Sequence, residues 1–225
     1  MSSNHQQEII CSSCGRLQSF TAWISVNVTI DPQLKDMLRG GHLTTFHCQH
    51  CGYEAHVEYD CLYHDMDHSL AVWLKYNVDD GESQIDPAAT AMFSTSIKDY
   101  TSRRVRNFDE LIDKVSVFSD GFSDYQIELL KLLICIREKI DISRPFHYSS
   151  IESSLLKGKS IVFALRTDHG FEGKRYQYKH YMGVVESLMP RILPFLKSSS
   201  KEWDQIDRSF MLRVLEKGGL LKSLK

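Results

Sequence analysis

The sequence predicts an α+β fold, with a small β-rich module carrying a short inserted helix at the N-terminus and a helical and mixed α/β region after it. Three observations carry this expectation. Two Cys-x-x-Cys pairs, Cys11/Cys14 and Cys48/Cys51, bracket a stretch of strand alternation. Two helix starts with capping residues follow at Asn107 and Ser123, and turn-bounded apolar segments return after Pro145. With 42% hydrophobic and 25% charged residues over 225 positions, the chain has the composition of an ordinary globular protein with a substantial core.

From Phe20 to Ile30, Trp23, Ser25, Asn27 and Thr29 alternate with Ile24, Val26, Val28 and Ile30, which gives a strand one buriable face. Asp31-Pro32 then starts a short helix whose apolar side is Leu34, Met37 and Leu38, and Gly40-Gly41 ends it. After Leu43 to Phe46, the runs Tyr53 to Tyr63 and Leu70 to Tyr76 predict a β-hairpin turning at His64-Asp65-Met66-Asp67-His68. The polar, acidic stretch Asp79 to Pro87 reads as a linker, so residues 1–78 and 88–225 are the expected domains.

In the second domain, Asn107 with Glu110 and Ser123 with Gln126 have the spacing of helix caps. Phe108, Leu111, Ile112, Val115 and Phe118 keep helical periodicity in the first helix, and the broad apolar surface of the second makes it the central one. Arg144-Pro145 breaks it. Ser160 to Arg166 has strand composition and turns at Asp168-His169-Gly170 toward a partner within Gly173 to Tyr181. Val184 to Leu196 is apolar but interrupted by Pro190 and Pro194, and a last helix is expected from Ser199 to Gly218. Trp23, Trp73 and Trp203 read as core anchors, and Cys61 and Cys135 as small apolar residues.

The formal charge of −2 is too balanced to argue for a nucleic-acid binder on net charge alone. Its distribution is uneven: residues 1–95 hold 4 Lys and Arg against 12 Asp and Glu, and the remainder is net basic. No apolar run reaches the roughly 18 residues of a membrane helix, and Met1 to Gln7 shows no signal-peptide pattern, so the chain reads as cytoplasmic. In that compartment paired cysteines point to metal rather than disulfides.

Each pair ends in glycine, as Cys11-Ser12-Ser13-Cys14-Gly15 and Cys48-Gln49-His50-Cys51-Gly52. Glycine suits the tight knuckle in which backbone N–H groups approach the sulfurs, and four thiolates make a closed tetrahedral shell. The expectation is one structural Zn2+ per chain on Cys11, Cys14, Cys48 and Cys51, with no position left for water or substrate. The 33 residues between Cys14 and Cys48 exceed the usual spacing of about 15–20, and the inserted strand and helix account for them.

These knuckles, together with Trp23-Ile24-Ser25-Val26-Asn27, Asp31-Pro32, Leu34-Lys35, Phe46 and Leu62-Tyr63-His64-Asp65, resemble the CpXC-domain proteins, a prokaryotic zinc-ribbon-like family. The resemblance covers Glu8 to Leu74 and continues through Ile127 to Lys131. It implies a zinc-binding N-terminal domain and supplies no reaction. Ser12 and Gln49 stand where the family has proline, which stiffens the knuckle but ligates nothing.

His64, Asp65, Asp67 and His68 carry donors for a second metal, although an exposed hairpin turn is the simpler reading. Lys157-Gly158-Lys159-Ser160 lacks the first glycine of a phosphate-binding loop, and neither G-x-S-x-G nor G-x-G-x-x-G is present. The leading expectation is therefore a non-catalytic protein-interaction or adaptor module. Nucleic-acid binding through Arg103, Arg104, Arg106, Lys174, Arg175 and Lys179 is the alternative. An enzyme using His147, His169 or His180 ranks third.

Overall fold

The computed structural model describes residues 1–76, 100–196 and 203–221. The fold is α+β, as expected. It has two compact units, Met1–Ile112 with Lys201–Trp203, and Asp113–Ser200 with Asp204–Lys225. The linker read at Asp79 to Pro87, and the helix start read at Ser199 with Glu202, lie outside the described residues.

The first unit is built on a five-stranded sheet whose order is β1 (Ser3–Ile10), β2 (Leu17–Asn27), β5 (Cys61–Asp65), β6 (Leu70–Leu74) and β7 (Thr101–Val105). β1 pairs antiparallel with β2, β2 parallel with β5, β5 antiparallel with β6, and β6 parallel with β7. A parallel pair requires a crossover. Between β2 and β5 it consists of α1 (Gln33–Arg39) and a two-stranded ribbon of β3 (Thr45–His47) and β4 (Glu54–His56).

Leu34 and Leu38 anchor α1 in the core while Met37 stays exposed, and Gly41 ends the turn at φ +74°, which glycine adopts without strain. The expected run Tyr53 to Tyr63 divides between two sheets. Val57 N–H donates to Thr44 O one step past the Thr45–His56 pair of the ribbon, and the Tyr59 hydroxyl donates to Leu43 O before the chain enters β5. The β5–β6 hairpin forms in the expected place, with Tyr63 opposite Val72.

Two strands of this sheet carried no apolar periodicity. β1 is polar and mostly exposed along its length, and β7 reads Thr-Ser-Arg-Arg-Val. Both are outer strands held by ladder hydrogen bonds to an apolar neighbour. Trp73 is buried and meets Trp203 edge to face at 5.5 Å, whereas Trp23 is half-buried.

In the second unit α2 (Phe108–Ser119, whose first turns belong to the first unit) and α3 (Asp124–Glu138) precede an antiparallel sheet ordered β10, β9, β8. Its strands are β8 (Phe146–Ser154), β9 (Gly158–Thr167) and β10 (Gly170–Gln177), and α4 (Tyr178–Ile192) and α5 (Arg208–Lys217) complete it. Both helix starts are capped as read. Glu110 N–H donates to Asn107 Oδ1 at 2.8 Å, and Ser123 and Gln126 close a capping box.

α3 is the central helix. Ile127, Leu130 and Ile134 join Phe146 and Phe163 from the sheet in one apolar core, which includes Val185 of α4 and Met211 of α5. β8 escaped the sequence pattern because only Phe146 and Tyr148 bury fully among its serines. α4 starts where β10 was expected to continue and runs through Pro190 near its end, and α5 starts later than read, capped by Asp207. Cys61 and Cys135 are buried, and burial pushes the Cys61 thiol up to about 12. No described helix is long and apolar enough to cross a membrane.

Candidate metal centre

Each Cys-x-x-Cys-Gly segment is the turn of a β-hairpin. The β1–β2 ladder continues past Ile10 and Leu17 with Cys11 N–H donating to Arg16 O at 2.9 Å, and Gly15 N–H turns back to Cys11 O at 2.8 Å. The second turn repeats this between β3 and β4, with Cys48 N–H to Tyr53 O at 2.8 Å and Gly52 N–H to Cys48 O at 2.9 Å. Gly15 and Gly52 have φ of +70° and +73°, the left-handed region that a side chain disfavours.

The two turns bring four sulfurs together. Cys11 Sγ is 3.7 Å from Cys51 Sγ, Cys14 Sγ is 3.6 Å from Cys48 Sγ, and all four lie within 4.8 Å of one another. A tetrahedral ion with metal–sulfur bonds of about 2.3 Å has sulfur–sulfur edges of about 3.8 Å, so the two close pairs already stand at that length. Cys11 and Cys48 are buried over Phe20, Ala22 and Phe46, and Cys14 and Cys51 face outward. All four are free cysteines, and together they can hold a metal ion.

Polar groups brace the turns against each other. Gln18 Nε2 donates to Cys48 Sγ at 3.0 Å while Gln18 Oε1 accepts from Gln49 N–H at 3.0 Å. Arg16 meets His50 Nδ1 at 3.0 Å across the two turns, while His47 pairs with Glu54 at 3.1 Å within the β3–β4 ribbon. Neither histidine joins the sulfur cluster. Gln18 was not singled out in the sequence, because a polar strand residue carries no local mark of a contact made 30 positions away.

The family model described as CpXC protein matches residues 9–131. The chain belongs to the CpXC family. Both cysteine turns fall within the matched stretch, which runs on through α2 and ends on Lys131 of α3. No curated protein and no solved structure matches the chain.

The remaining sequence candidates in this CpXC protein fall elsewhere. Among the described residues only the four cysteines form a cluster suited to a metal, so His64, Asp65, Asp67 and His68 do not. Asp65 instead organises the β5–β6 turn: buried, it accepts from His68 Nδ1 at 2.9 Å and from Lys35 at 3.4 Å. Burial alone raises its carboxyl, but the hydrogen bonds and charge of His68 and the charge of Lys35 hold it below its ordinary value. His64 Nε2 meets the Tyr100 hydroxyl at 3.1 Å, and burial lowers the imidazole.

Arg103, Arg104 and Arg106 lie on and just after β7 in the first unit, and Lys174, Arg175 and Lys179 on β10 and α4 in the second. Carboxylates already pair with three of them. Arg106 meets Glu110 at 2.9 Å, Lys174 meets Glu172 at 3.3 Å, and Arg175 meets Glu152 at 3.0 Å. Arg103 is buried and donates to Ser102 O. The histidines lie on separate elements: His147 on β8 beside Phe171, His169 in the β9–β10 turn, and His180 in the first turn of α4.

Sequence reasoning missed a buried ionic network. Lys131 Nζ donates to both oxygens of Asp113 at 2.7 and 2.8 Å and to Glu128 at 2.9 Å. Lys114 meets Asp124 at 3.3 Å and Glu128 at 3.4 Å, and donates to the Ile206 carbonyl. Asp113 also accepts the Tyr148 backbone N–H, so a carboxylate of α2 serves β8 where a neighbouring strand would. All five charged residues are buried and lie within the family match.

Proposed function

We propose that this CpXC protein binds one structural zinc ion through Cys11, Cys14, Cys48 and Cys51, and that the zinc-ribbon-like module so stabilised is a non-catalytic platform for a protein partner in the cytoplasm. The single observation behind the zinc reading is the convergence of four sulfurs, two pairs at 3.6 and 3.7 Å, on two matched hairpin turns. Soft thiolates in a closed tetrahedron favour zinc, and a full shell leaves no open position for catalysis.

The partner reading rests on the surface around the turns. Ile10 and Leu17 sit opposite each other beside the first turn at 67% and 52% exposure, and Tyr53 follows the second turn, also exposed. Exposed apolar pairs beside a rigid turn suit protein contacts. Elemental analysis of the purified full chain tests the metal: one zinc per chain is expected, and iron in its place or no metal on a folded protein refutes it. Ile10→Asp/Leu17→Asp tests the surface, since it should abolish partner cross-linking and leave the zinc content at one.

A further inference from the structure

The second unit holds a cavity of about 630 Å³ between α3 and α4. That is within the roughly 300–1,000 Å³ typical of small-molecule sites. Its wall is apolar: Leu130, Leu133 and Ile136 succeed one another along α3, and Val184 faces them from α4. The rim is cationic or titratable, with Arg137 and Lys139 at the end of α3 and His180 at the start of α4.

Arg137 Nη1 donates to the Tyr181 hydroxyl at 3.2 Å and lies 5.6 Å from the ring centroid, so its guanidinium is held at the mouth rather than swinging in solvent. No carboxylate of the described residues pairs with Arg137, Lys139 or His180. Basic residues in the last turn of α3 also stabilise that helix end, but this does not account for the apolar hollow beside them.

We infer that this cavity binds a small amphipathic anion, a monocarboxylate whose apolar body lies against Leu133 and Val184 and whose headgroup meets Arg137 and Lys139. A neutral ligand gains nothing from the rim, and a cation is repelled by it. The cavity lies wholly in the second unit, so the inference stands or falls apart from the zinc reading.

Isothermal titration of the full-length protein with decanoate, decanol and decylamine, each below its aggregation limit, tests it. Saturable one-to-one binding of decanoate is expected, with decanol about tenfold weaker and decylamine undetectable. Arg137→Ala/Lys139→Ala should weaken decanoate about tenfold and remove most of its salt dependence. Val184→Trp, at an exposed position where bulk does not disturb the core, should fill the cavity and abolish binding, with circular dichroism confirming the fold; Leu133→Trp is the second filling variant. No saturable binding of decanoate, equal affinity for decanol, or unchanged affinity in folded Val184→Trp would overturn the inference.

Discussion

Replacing Lys131 by methionine perturbs the ionic network with little change in volume. The ammonium group makes three hydrogen bonds of 2.7 to 2.9 Å, two to Asp113 and one to Glu128, from a side chain that is 2% exposed. Methionine leaves three buried carboxylates facing Lys114. Stranding a buried charge in this way costs about 3–5 kcal/mol, far more than an exposed ion pair contributes.

The loss should appear in the second unit. All three tryptophans belong to the first unit, so indole fluorescence follows that unit, whereas far-UV circular dichroism follows mainly the helices α3, α4 and α5. With a urea m-value of about 2 kcal/mol/M, the circular dichroism midpoint of Lys131→Met should fall by roughly 2 M. A shift equivalent to less than about 1 kcal/mol would show that the network does not hold α2 and α3 together.

The pH dependence follows from Asp113. Burial alone would raise its carboxyl, but the charges of Lys131, Lys114 and His147 and the Lys131 hydrogen bonds outweigh burial and hold it below the ordinary value. A depressed folded value stabilises above the unfolded value of about 4, and the contribution is lost as pH falls through the folded value. Lys131→Met removes the leading favourable charge, so acid unfolding should begin at a higher pH than in the wild type.

Other perturbations address the metal centre. Chelation or Cys48→Ser should shift the tryptophan emission of the first unit to the red, because metal-binding free energies of about 10–16 kcal/mol rival the whole stability of a small domain. Gln18→Leu removes the bonds to Cys48 Sγ and Gln49 N–H and should weaken zinc about 10–100-fold in competition with a chromophoric chelator. Gly52→Ala meets nothing within 4 Å, so its cost is the backbone strain at φ +73°, about 1–2 kcal/mol in urea unfolding. His64→Ala/His68→Ala should leave one zinc per chain by elemental analysis, since these side chains serve Tyr100 and Asp65.

The cysteine turns were legible because their chemistry is local: donor, spacing and glycine all lie within five residues. Asn107 and Ser123 were legible for the same reason, each marking a helix start three residues from its partner. β1 and β8 were not, because a strand exposed on one or both faces has no apolar alternation to read, and its partners are fixed by the neighbouring strand. Lys131 lies inside the apolar run Leu129 to Ile136, where no local pattern marks a buried ammonium. Its meaning depends on Asp113, 18 residues earlier on another helix.

The unusually long gap between the cysteine pairs follows from how weakly loop closure depends on length. Doubling a loop from about 17 to about 33 residues costs only about 0.6 kcal/mol of closure entropy. A zinc ion on the four sulfurs would supply more than ten times that, which would leave the intervening chain free to form the crossover that the parallel β2–β5 pair requires. The dependence also runs the other way. β3 and β4 have three residues each, too few for an isolated hairpin to persist in water, and Phe46 and Ala55 supply their apolar packing against the cysteine cluster. On the proposed zinc reading, the ribbon that carries Cys48 and Cys51 depends on the ion as the ion depends on the ribbon, and loss of metal should melt β3 and β4 before the five-stranded sheet opens.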